Sequence, residues 1–372
     1  VLLRERAVWR LESGRAVLVG YRIYGPHGGP EPRIPGVTPR CEYGFEILVV
    51  LAFLTYVIGI SLDKTCAVLS FFCQLRLSKS QADSLLRQLG RHWEKEFETL
   101  CKLLVEAAVV HMDETGWKKG KQKCSLWTFA SRWVRVFLFG CRKDAATLNR
   151  ILPPNKFHGV GVSDNAAVYS ERFDRAQKCW PHLLRKAIRL VVLYPRKRKY
   201  RRFLDGLLAL YYDAKRAAAD GRLGTVGRAQ RVAAFEACLK ALCYPHWWET
   251  TPDMTLPERE FANLANELME LMAANELFTF VLDPDVPPTN NLPERLQRSP
   301  ALDRKAGRTS KSDAGARRRS VILSVLESLR TGLTTFTLAN VVAETMRWME
   351  EGTSLFDRWL RDNEPGLAPN SS

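Results

Sequence analysis

Two aspartates follow apolar, strand-like runs, and this arrangement could build a catalytic site. The run VVHMDETGW, residues 109–117, leads directly into Asp113, and the run HGVGVSDN, residues 158–165, leads into Asp164. If the two strands are neighbours, their carboxylates lie close together, and repulsion between them favours a bound cation. Mg²⁺ or Mn²⁺ suits such oxygen ligands. A third carboxylate would complete a two-metal site for phosphoryl transfer.

Each aspartate also has an ordinary interpretation. Asp and Asn are common in turns because their side chains bond the backbone two residues further on. Asp164, which Asn165 follows, fits that pattern, and Asp113 fits a strand-end turn. Taken singly, either aspartate is better explained as a turn residue, whereas the pair on adjacent strands leaves both interpretations open.

The elements around the aspartates predict how they meet. Apolar periodicity predicts three successive strands at 106–112, 124–131 and 134–140, then a helix at 143–152. The fourth strand, at 158–165, would return parallel to the first by a right-handed crossover. Ligand sites of such sheets form at the carboxyl ends of parallel strands. Asp113 and Asp164 are therefore expected side by side.

Helices are predicted on both sides of these strands. Residues 43–105 read as helices, with Ser78 or Ser80 as an N-cap, and form either a helix-turn-helix or a plain helical hairpin. Residues 178–282 are helical again, and a long helix is expected from 312 to 332. The candidate DNA contacts on the second early helix are Lys79, Arg87 and Arg91.

The N-terminal region is the least regular. Residues 1–35 show one strand-like stretch, 16–24, and then a Gly- and Pro-rich loop. The apolar run 47–62 is sixteen residues long, shorter than the roughly 20 that a membrane span needs. It predicts a buried core helix, and no membrane partner is expected.

The net charge of +16 favours a polyanionic partner, of which nucleic acid is the usual one. Basic clusters could follow a phosphate backbone without reading sequence. The alternative is that they are solvated faces. The cluster residues are Arg196, Lys197, Arg198, Lys199, Arg304, Lys305, Arg308 and Lys311.

The nine cysteines are an odd number and include no CxxC pair, which predicts free thiols in a reducing cytosol. Cys238, Cys243 and His246 lie close in sequence but lack a fourth zinc ligand, so buried thiols are the better interpretation. Trp247 and Trp248 could stack on a flipped base, although a core position is the more ordinary role.

Four sequence blocks together resemble a known family. HMDETGW, GVSDNAAVY, CWPHLLR and TNNLPERLQR followed by GARRRSVILSVLESLR occur in that order between about 105 and 330. They resemble the insertion sequence 66 family of DDE transposases. The resemblance implies an α/β fold: a ribonuclease-H-like mixed sheet with flanking helices, interrupted by an all-helical insertion and preceded by a helical DNA-binding-type region. It implies metal-dependent cleavage and strand transfer of DNA at insertion-sequence ends.

The resemblance also assigns residues. It places the catalytic, metal-binding carboxylates at Asp113, Asp164 and Glu294, holding two Mg²⁺ or Mn²⁺ ions. On spacing alone, Glu294 would instead complete a capping box with Asn291 as N-cap. Pro181 and the Leu292–Pro293 pair depart from the family pattern, as does the lack of a zinc-binding cysteine pattern near the N-terminus. The auxiliary residues expected near the site are His182, Arg185, Arg295 and Arg298.

Six segments are predicted. They are an irregular N-terminus (1–36), a helical region (37–105), a first core segment (106–177), a helical insertion (178–285), a second core segment (286–335) and a helical tail (336–372). The implied partners are double-stranded DNA of element ends and target, a second copy or more on DNA, and helper proteins of the same element. The implied location is the cytoplasm, at the prokaryotic nucleoid. Two alternatives remain: a transposase-derived DNA-binding protein that does not cut, and a ribonuclease-H-type nuclease without strand transfer.

Overall fold

The computed structural model describes residues 1–27, 29–30, 32–247 and 250–362. The chain divides into two compact units. The first unit contains Val1–Leu104, Glu114–Lys143 and the described residues from Leu296 onward. The second unit contains Val105–Asp113 and Asp144–Arg295. All three predicted catalytic carboxylates belong to the second unit, while the six-segment division stays a prediction.

The first unit begins with a β-hairpin. Strands β1 (Leu2–Glu12) and β2 (Arg15–Tyr24) pair antiparallel across a turn in which Ser13 and Gly14 both have positive φ. The prediction found β2 and missed β1. The reason is that apolar and polar residues do not alternate regularly along β1, in which only Val8 is buried.

Four helices follow in the first unit. The predicted core helix is confirmed, since nearly all of its first eight residues are buried before it changes to a π-helical turn at Phe53–Val57. Ser78, rather than Ser80, is the N-cap of the third helix, in a capping box with Gln81. No described helix is long and apolar enough to cross a membrane. The helices are α1 (Phe45–Ala52), α2 (Leu62–Cys73), α3 (Lys79–His92) and α4 (Glu94–Val105).

A mixed five-stranded sheet contains the remaining strands in the order β5-β4-β3-β6-β7. β6 is parallel to β3 and β7 is parallel to β6, whereas β4 and β5 are antiparallel. The predicted return of the fourth strand beside the first is therefore confirmed. The strands are β3 (Val109–Lys119), β4 (Gln122–Ala130), β5 (Arg135–Cys141), β6 (Val160–Ser163) and β7 (Arg175–Lys178).

Two strand predictions need correction. β3 was expected to end at Asp113, but it continues to Lys119, since its second half extends beside β4. Asp113 therefore lies within a strand and not at its end. β7 was not predicted because its four residues, RAQK, contain a single apolar residue and give no strand periodicity.

The second unit surrounds β6 and β7 with helices, which share one core built around Trp180, Leu207, Phe261 and Phe278. The predicted helical stretch 178–282 is confirmed, with breaks at loops. The helices are α5 (Ala145–Ile151), α6 (Trp180–Leu193), α7 (Arg198–Ala219), α8 (Thr225–Cys243), α9 (Leu256–Ala273), α10 (Thr279–Leu282) and α11 (Asn291–Leu296).

The last four helices belong to the first unit, and the predicted long helix agrees with the structure, since Ser312 caps it and it ends at Gly332. The helices are α12 (Arg298–Lys305), α13 (Asp313–Gly332), α14 (Leu338–Glu351) and α15 (Leu355–Asp362).

Helix α13 covers the edge of β5 through a ladder of serines. The backbone N–H groups of Arg135, Phe137 and Phe139 donate to the Oγ atoms of Ser328, Ser324 and Ser320, at 2.9–3.0 Å. Two strand residues advance by about 6.6 Å and four helix residues by about 6 Å, so the two repeats match over this length. The ladder supplies hydrogen-bond acceptors that a strand edge otherwise lacks.

Candidate active site

The register of β3 and β6 relates the two aspartates. The parallel pairing runs Val109↔Val160, Val110↔Gly161 and His111↔Val162. Asp113 and Asp164 each stand two residues beyond the last of these pairs. Asp113 lies within β3 and shares the face of His111, since side chains two residues apart point to one face of a strand, while Asp164 directly follows Ser163, the last residue of β6. Both side chains are half-buried.

Asp164 also acts as a turn residue, which was the alternative interpretation of its sequence. Its Oδ1 accepts a hydrogen bond of 3.0 Å from the backbone N–H of Ala166, as in an Asx turn. A carboxylate has two oxygens with several lone pairs, so this bond fixes the side chain and leaves capacity for a ligand.

Asn290 ties helix α11 to the strand that carries Asp113. Its Nδ2 donates to the carbonyl of Met112 at 2.6 Å, and its Oδ1 lies 3.3 Å from Nδ1 of His111. The residue is 1% exposed, so both contacts are shielded from water. Glu294 lies one helical turn further on. The structure thus places the helix of the third carboxylate against the strand of the first.

Cys179 connects the same helix to the strand that carries Asp164. Its backbone N–H donates to the carbonyl of Ser163 at 2.9 Å, and its Sγ accepts from the backbone N–H of Asn290 at 3.2 Å. Burial raises the pKa of this thiol, so it remains protonated. Asn290 and Cys179 lie within the blocks TNNLPERLQR and CWPHLLR, but sequence analysis gave them no role, since their contact with each other and that of Asn290 with Met112 join residues over a hundred positions apart.

Glu294 faces an imidazole and a guanidinium. Its Oε1 lies 3.6 Å from Nε2 of His182 and 3.6 Å from Nη2 of Arg185, both on α6. These separations exceed hydrogen-bond length, and this buried oxygen has no hydrogen-bond partner among the described residues. Nδ1 of His182 is likewise buried without one. The helix α11 begins at Asn291, so Asn291 is not the N-cap of the capping-box interpretation.

The donor set only partly suits a divalent cation. Two half-buried aspartates on paired strands and an unsatisfied glutamate oxygen are the oxygen ligands that Mg²⁺ and Mn²⁺ prefer. Among the residues that the structure describes, however, no three His, Cys, Asp or Glu side chains are grouped closely enough to hold a metal ion. The predicted convergence of all three carboxylates is not confirmed, and their metal-binding role stays a prediction.

The comparison with protein families identifies the chain. The family model described as "Transposase IS66 family" matches residues 40–318, about three quarters of the sequence. The chain belongs to the IS66 transposase family. None of the curated proteins matches it. The resemblance of the four sequence blocks is confirmed, and a general transposase role follows from membership.

The DNA contacts predicted for this IS66-family protein fall into two groups. Some are exposed, including Arg196 to Lys199 before and in α7, although Nζ of Lys199 also lies over the rings of Tyr200 and Phe261. Lys79 and Arg87 are also exposed but form ion pairs with Asp63 and Asp83. Their DNA-binding role stays a prediction. The other exposed residues among the predicted DNA contacts are Arg91, Lys305 and Lys311, and the predicted auxiliary residues Arg185, Arg295 and Arg298 are exposed as well.

Arg304 and Arg308 are held within the first unit. Nη1 of Arg304 donates to Oγ1 of Thr115 at 3.1 Å and to the carbonyl of Gly116. Arg308 pairs with the buried Asp303 at 2.9 Å. Both side chains therefore have structural contacts, which a DNA phosphate would have to replace or share.

Packing accounts for Cys243 and His246, which were the weak zinc-ligand candidates of the predicted insertion. Cys243 is buried, which raises its pKa to about 12, and the ring of His246 packs on Phe203 and Phe261. Neither is a metal ligand among the described residues. Trp247 is 50% exposed beside Tyr244, so it is not a core residue. Trp248 lies outside the described residues.

Proposed function

We propose that this IS66-family protein is a DDE transposase that cleaves and joins DNA at the ends of its element. In this proposal Asp113, Asp164 and Glu294 hold two Mg²⁺ or Mn²⁺ ions. The sheet would be the core of a ribonuclease-H-like fold, with α6 to α10 in the helical insertion of residues 178–285. The observation that carries the proposal is the register, which sets both aspartates two residues beyond the pair His111↔Val162.

The unsatisfied oxygen of Glu294 supports a role for the third carboxylate. The guanidinium of Arg185 balances its charge at 3.6 Å, and Nε2 of His182 lies at the same distance, without a close hydrogen bond from either. Such loose pairing would be released at little cost, since partly exposed ion pairs are worth under about 1 kcal/mol. We expect Glu294 to leave these partners when it binds a cation.

Bound divalent ions would activate the attacking water or 3′-hydroxyl and stabilise charge on the scissile phosphate. The protein's own residues would position the carboxylates and bind the phosphate. Asn290 and Cys179 would keep α11 and the two strand segments in a fixed relation, since their hydrogen bonds join all three. Arg185, once Glu294 turns away, would offer its guanidinium to a phosphate oxygen, for which its planar donors are suited.

The proposal is tested with duplexes that carry the terminal repeats of the element that encodes the chain. Asp113→Asn, Asp164→Asn and Glu294→Gln should each lower Mg²⁺-dependent cleavage and strand transfer about 100-fold or more, a size typical of losing one electrostatic stabiliser. Gel-shift binding of the same duplex should be retained. The matched control is Asp174→Asn, an exposed carboxylate of the second unit, which should leave the rates unchanged.

Other outcomes would assign other functions. Cleavage without joining of labelled ends would identify a ribonuclease-H-type nuclease. End-specific binding without cleavage would identify a transposase-derived DNA-binding protein. Either result in the unmutated chain would contradict the proposal.

A further inference from the structure

Glu96 is a buried carboxylate on α4. The residue is 6% exposed, and its carboxylate forms no hydrogen bond or ion pair with another described residue. Lys95, the cation next to it in the chain, pairs instead with Asp357 at 3.2 Å. A glutamate is rarely buried without a close partner, because removing its charge from water is costly. Its position therefore calls for an explanation beyond packing.

A cavity beside Glu96 gives that explanation. Its volume is about 290 Å³, and all the residues that line it belong to the first unit. Phe45, Trp93 and Trp348 form aromatic walls, and the two tryptophan rings meet edge to face with their centroids 6.4 Å apart. The volume is close to the lower end of the roughly 300–1,000 Å³ of small-molecule sites. The cavity thus suits one planar ring system.

Two further side chains limit what the cavity could bind. Arg33 and His92 also line it, and both carry N–H groups that can donate hydrogen bonds. A lysine or arginine side chain of another protein would be attracted by Glu96 but repelled by Arg33. The better ligand is an uncharged ring with hydrogen-bond donors on one edge, for the carboxylate, and acceptors on another edge, for the guanidinium.

Guanine is the nucleobase that has this combination. Its N1–H and N2–H₂ groups are adjacent donors that match the two oxygens of a carboxylate, and its O6 and N7 are acceptors that suit an arginine. The pairing edges of adenine, cytosine and thymine place an acceptor beside the donor, so a carboxylate would face a lone pair. Aromatic side chains contribute by packing against the faces of a base.

We propose that this cavity binds an unpaired guanine base, with Glu96 accepting from N1–H and N2–H₂ and Arg33 donating to O6 or N7. The base must be unpaired, because a Watson–Crick partner would occupy the same donors. A guanine flipped out of DNA and the base of a free nucleotide both meet this requirement. Asp113, Asp164 and Glu294 do not line the cavity, so the inference does not depend on the proposed catalysis.

The test is a calorimetric titration of the full chain, in buffer without divalent metal, with the monophosphates of guanosine, inosine and adenosine. The guanosine nucleotide should bind about tenfold more tightly than the adenosine nucleotide, whose N1 lone pair faces the carboxylate. The inosine nucleotide, which lacks the 2-amino group, should bind several-fold more weakly than the guanosine nucleotide. A single-stranded oligothymidylate with one internal guanine, compared with the same strand without it, tests DNA as the source of the base.

One substitution and its matched control test the role of Glu96. Glu96→Gln should weaken binding of the guanosine nucleotide about tenfold, because an amide turns a donor towards the donors of guanine. Glu98→Gln makes the same chemical change at an exposed position of α4 and should leave the dissociation constant unchanged. Thermal unfolding of both variants checks that the fold is retained.

Several outcomes would overturn the inference. They are equal affinities for the guanosine and adenosine nucleotides, no binding of any guanine-containing probe, and equal effects of Glu96→Gln and Glu98→Gln. Binding of N-acetylarginine amide in place of guanine would overturn it too and would indicate a protein partner. Should Glu96→Gln fail to fold, the order of the three nucleotides in the unmutated protein still decides. Because the titration contains no metal, its failure would leave the proposed cleavage untouched.

Discussion

Asn290 is the residue whose loss should most disturb the candidate site without removing a carboxylate. Asn290→Ala deletes the donor to the Met112 carbonyl and the interaction with His111. A buried acceptor left without a partner costs about 1–3 kcal/mol, so the free energy of unfolding should fall by that amount in a urea titration.

The neighbouring residue gives the control for that prediction. Asn291 is exposed on the first turn of α11, and Asn291→Ala should change the free energy of unfolding by about 0.5 kcal/mol or less. Equal losses in the two variants would show that the Asn290 hydrogen bonds contribute nothing specific.

The sequence allowed single residues to be predicted only where their pattern is local. Asp113 and Asp164 follow apolar runs that indicate strands, so their approach could be inferred from a crossover. Asn290 and Glu96 have no such pattern. The contact of Asn290 with Met112 and the cavity that Glu96 lines exist only after the chain has folded.

At the scale of elements, the serine ladder between α13 and β5 predicts a measurable stability loss. Ser324→Ala leaves the buried N–H of Phe137 without its acceptor, so we expect the free energy of unfolding to fall by about 1–3 kcal/mol. Thermal or urea unfolding checks this. The control is Ser84→Ala on the exposed face of α3, which should have no such effect because alanine is the better helix former. A small change in the free energy of unfolding of Ser324→Ala would mean that water replaces Ser324 as the acceptor for the N–H of Phe137.

The ion pairs of Asp83 on α3 with Arg87 and with Arg318 on α13 predict that stability depends on pH. Burial raises the pKa of Asp83, but hydrogen bonds from Arg87 and Arg318 outweigh it and hold that pKa below the usual 3.8. A depressed carboxyl pKa stabilises the fold above pH about 3.8, and that contribution is lost as pH falls through the folded-state value. Melting temperatures of the unmutated protein and Asp83→Asn should therefore differ at about pH 6 and converge as the pH falls below 3.8. A gap that persists at the acidic end would contradict the assignment.

Element predictions succeeded where long apolar runs are buried and failed where few residues are buried. β4, β5 and α13 bury long apolar faces and were found close to their true bounds. β1 buries only Val8 and β7 is four residues long, so the sheet partners of these strands, not their own sequences, fix them as strands. β3 continues beyond its apolar run because its second half pairs with β4.

The whole molecule carries a net charge of +16, and DNA binding should therefore weaken steeply with salt. The exposed run of Arg196, Lys197, Arg198 and Lys199 is the strongest candidate for binding phosphates. Replacing all four by alanine should reduce the slope of log K against log salt by about 0.9 for each phosphate that is no longer neutralised.

Fluorescence anisotropy with a labelled duplex at several salt concentrations measures that slope. Lys240→Ala, a single exposed charge on α8, is the control and should leave the slope within its error. An unchanged slope in the fourfold variant would show that residues 196–199 form only a solvated face and that DNA binds elsewhere on the protein.

The serine ladder has a consequence for how copies of the chain could assemble on DNA. Three N–H groups along β5 already have acceptors in Ser320, Ser324 and Ser328. A strand from another molecule could extend the sheet there only by breaking these bonds and lifting α13 away. Multimers of this transposase should accordingly form through helices, loops or the DNA itself, and mixing two tagged versions should not yield sheet-edge exchange at β5.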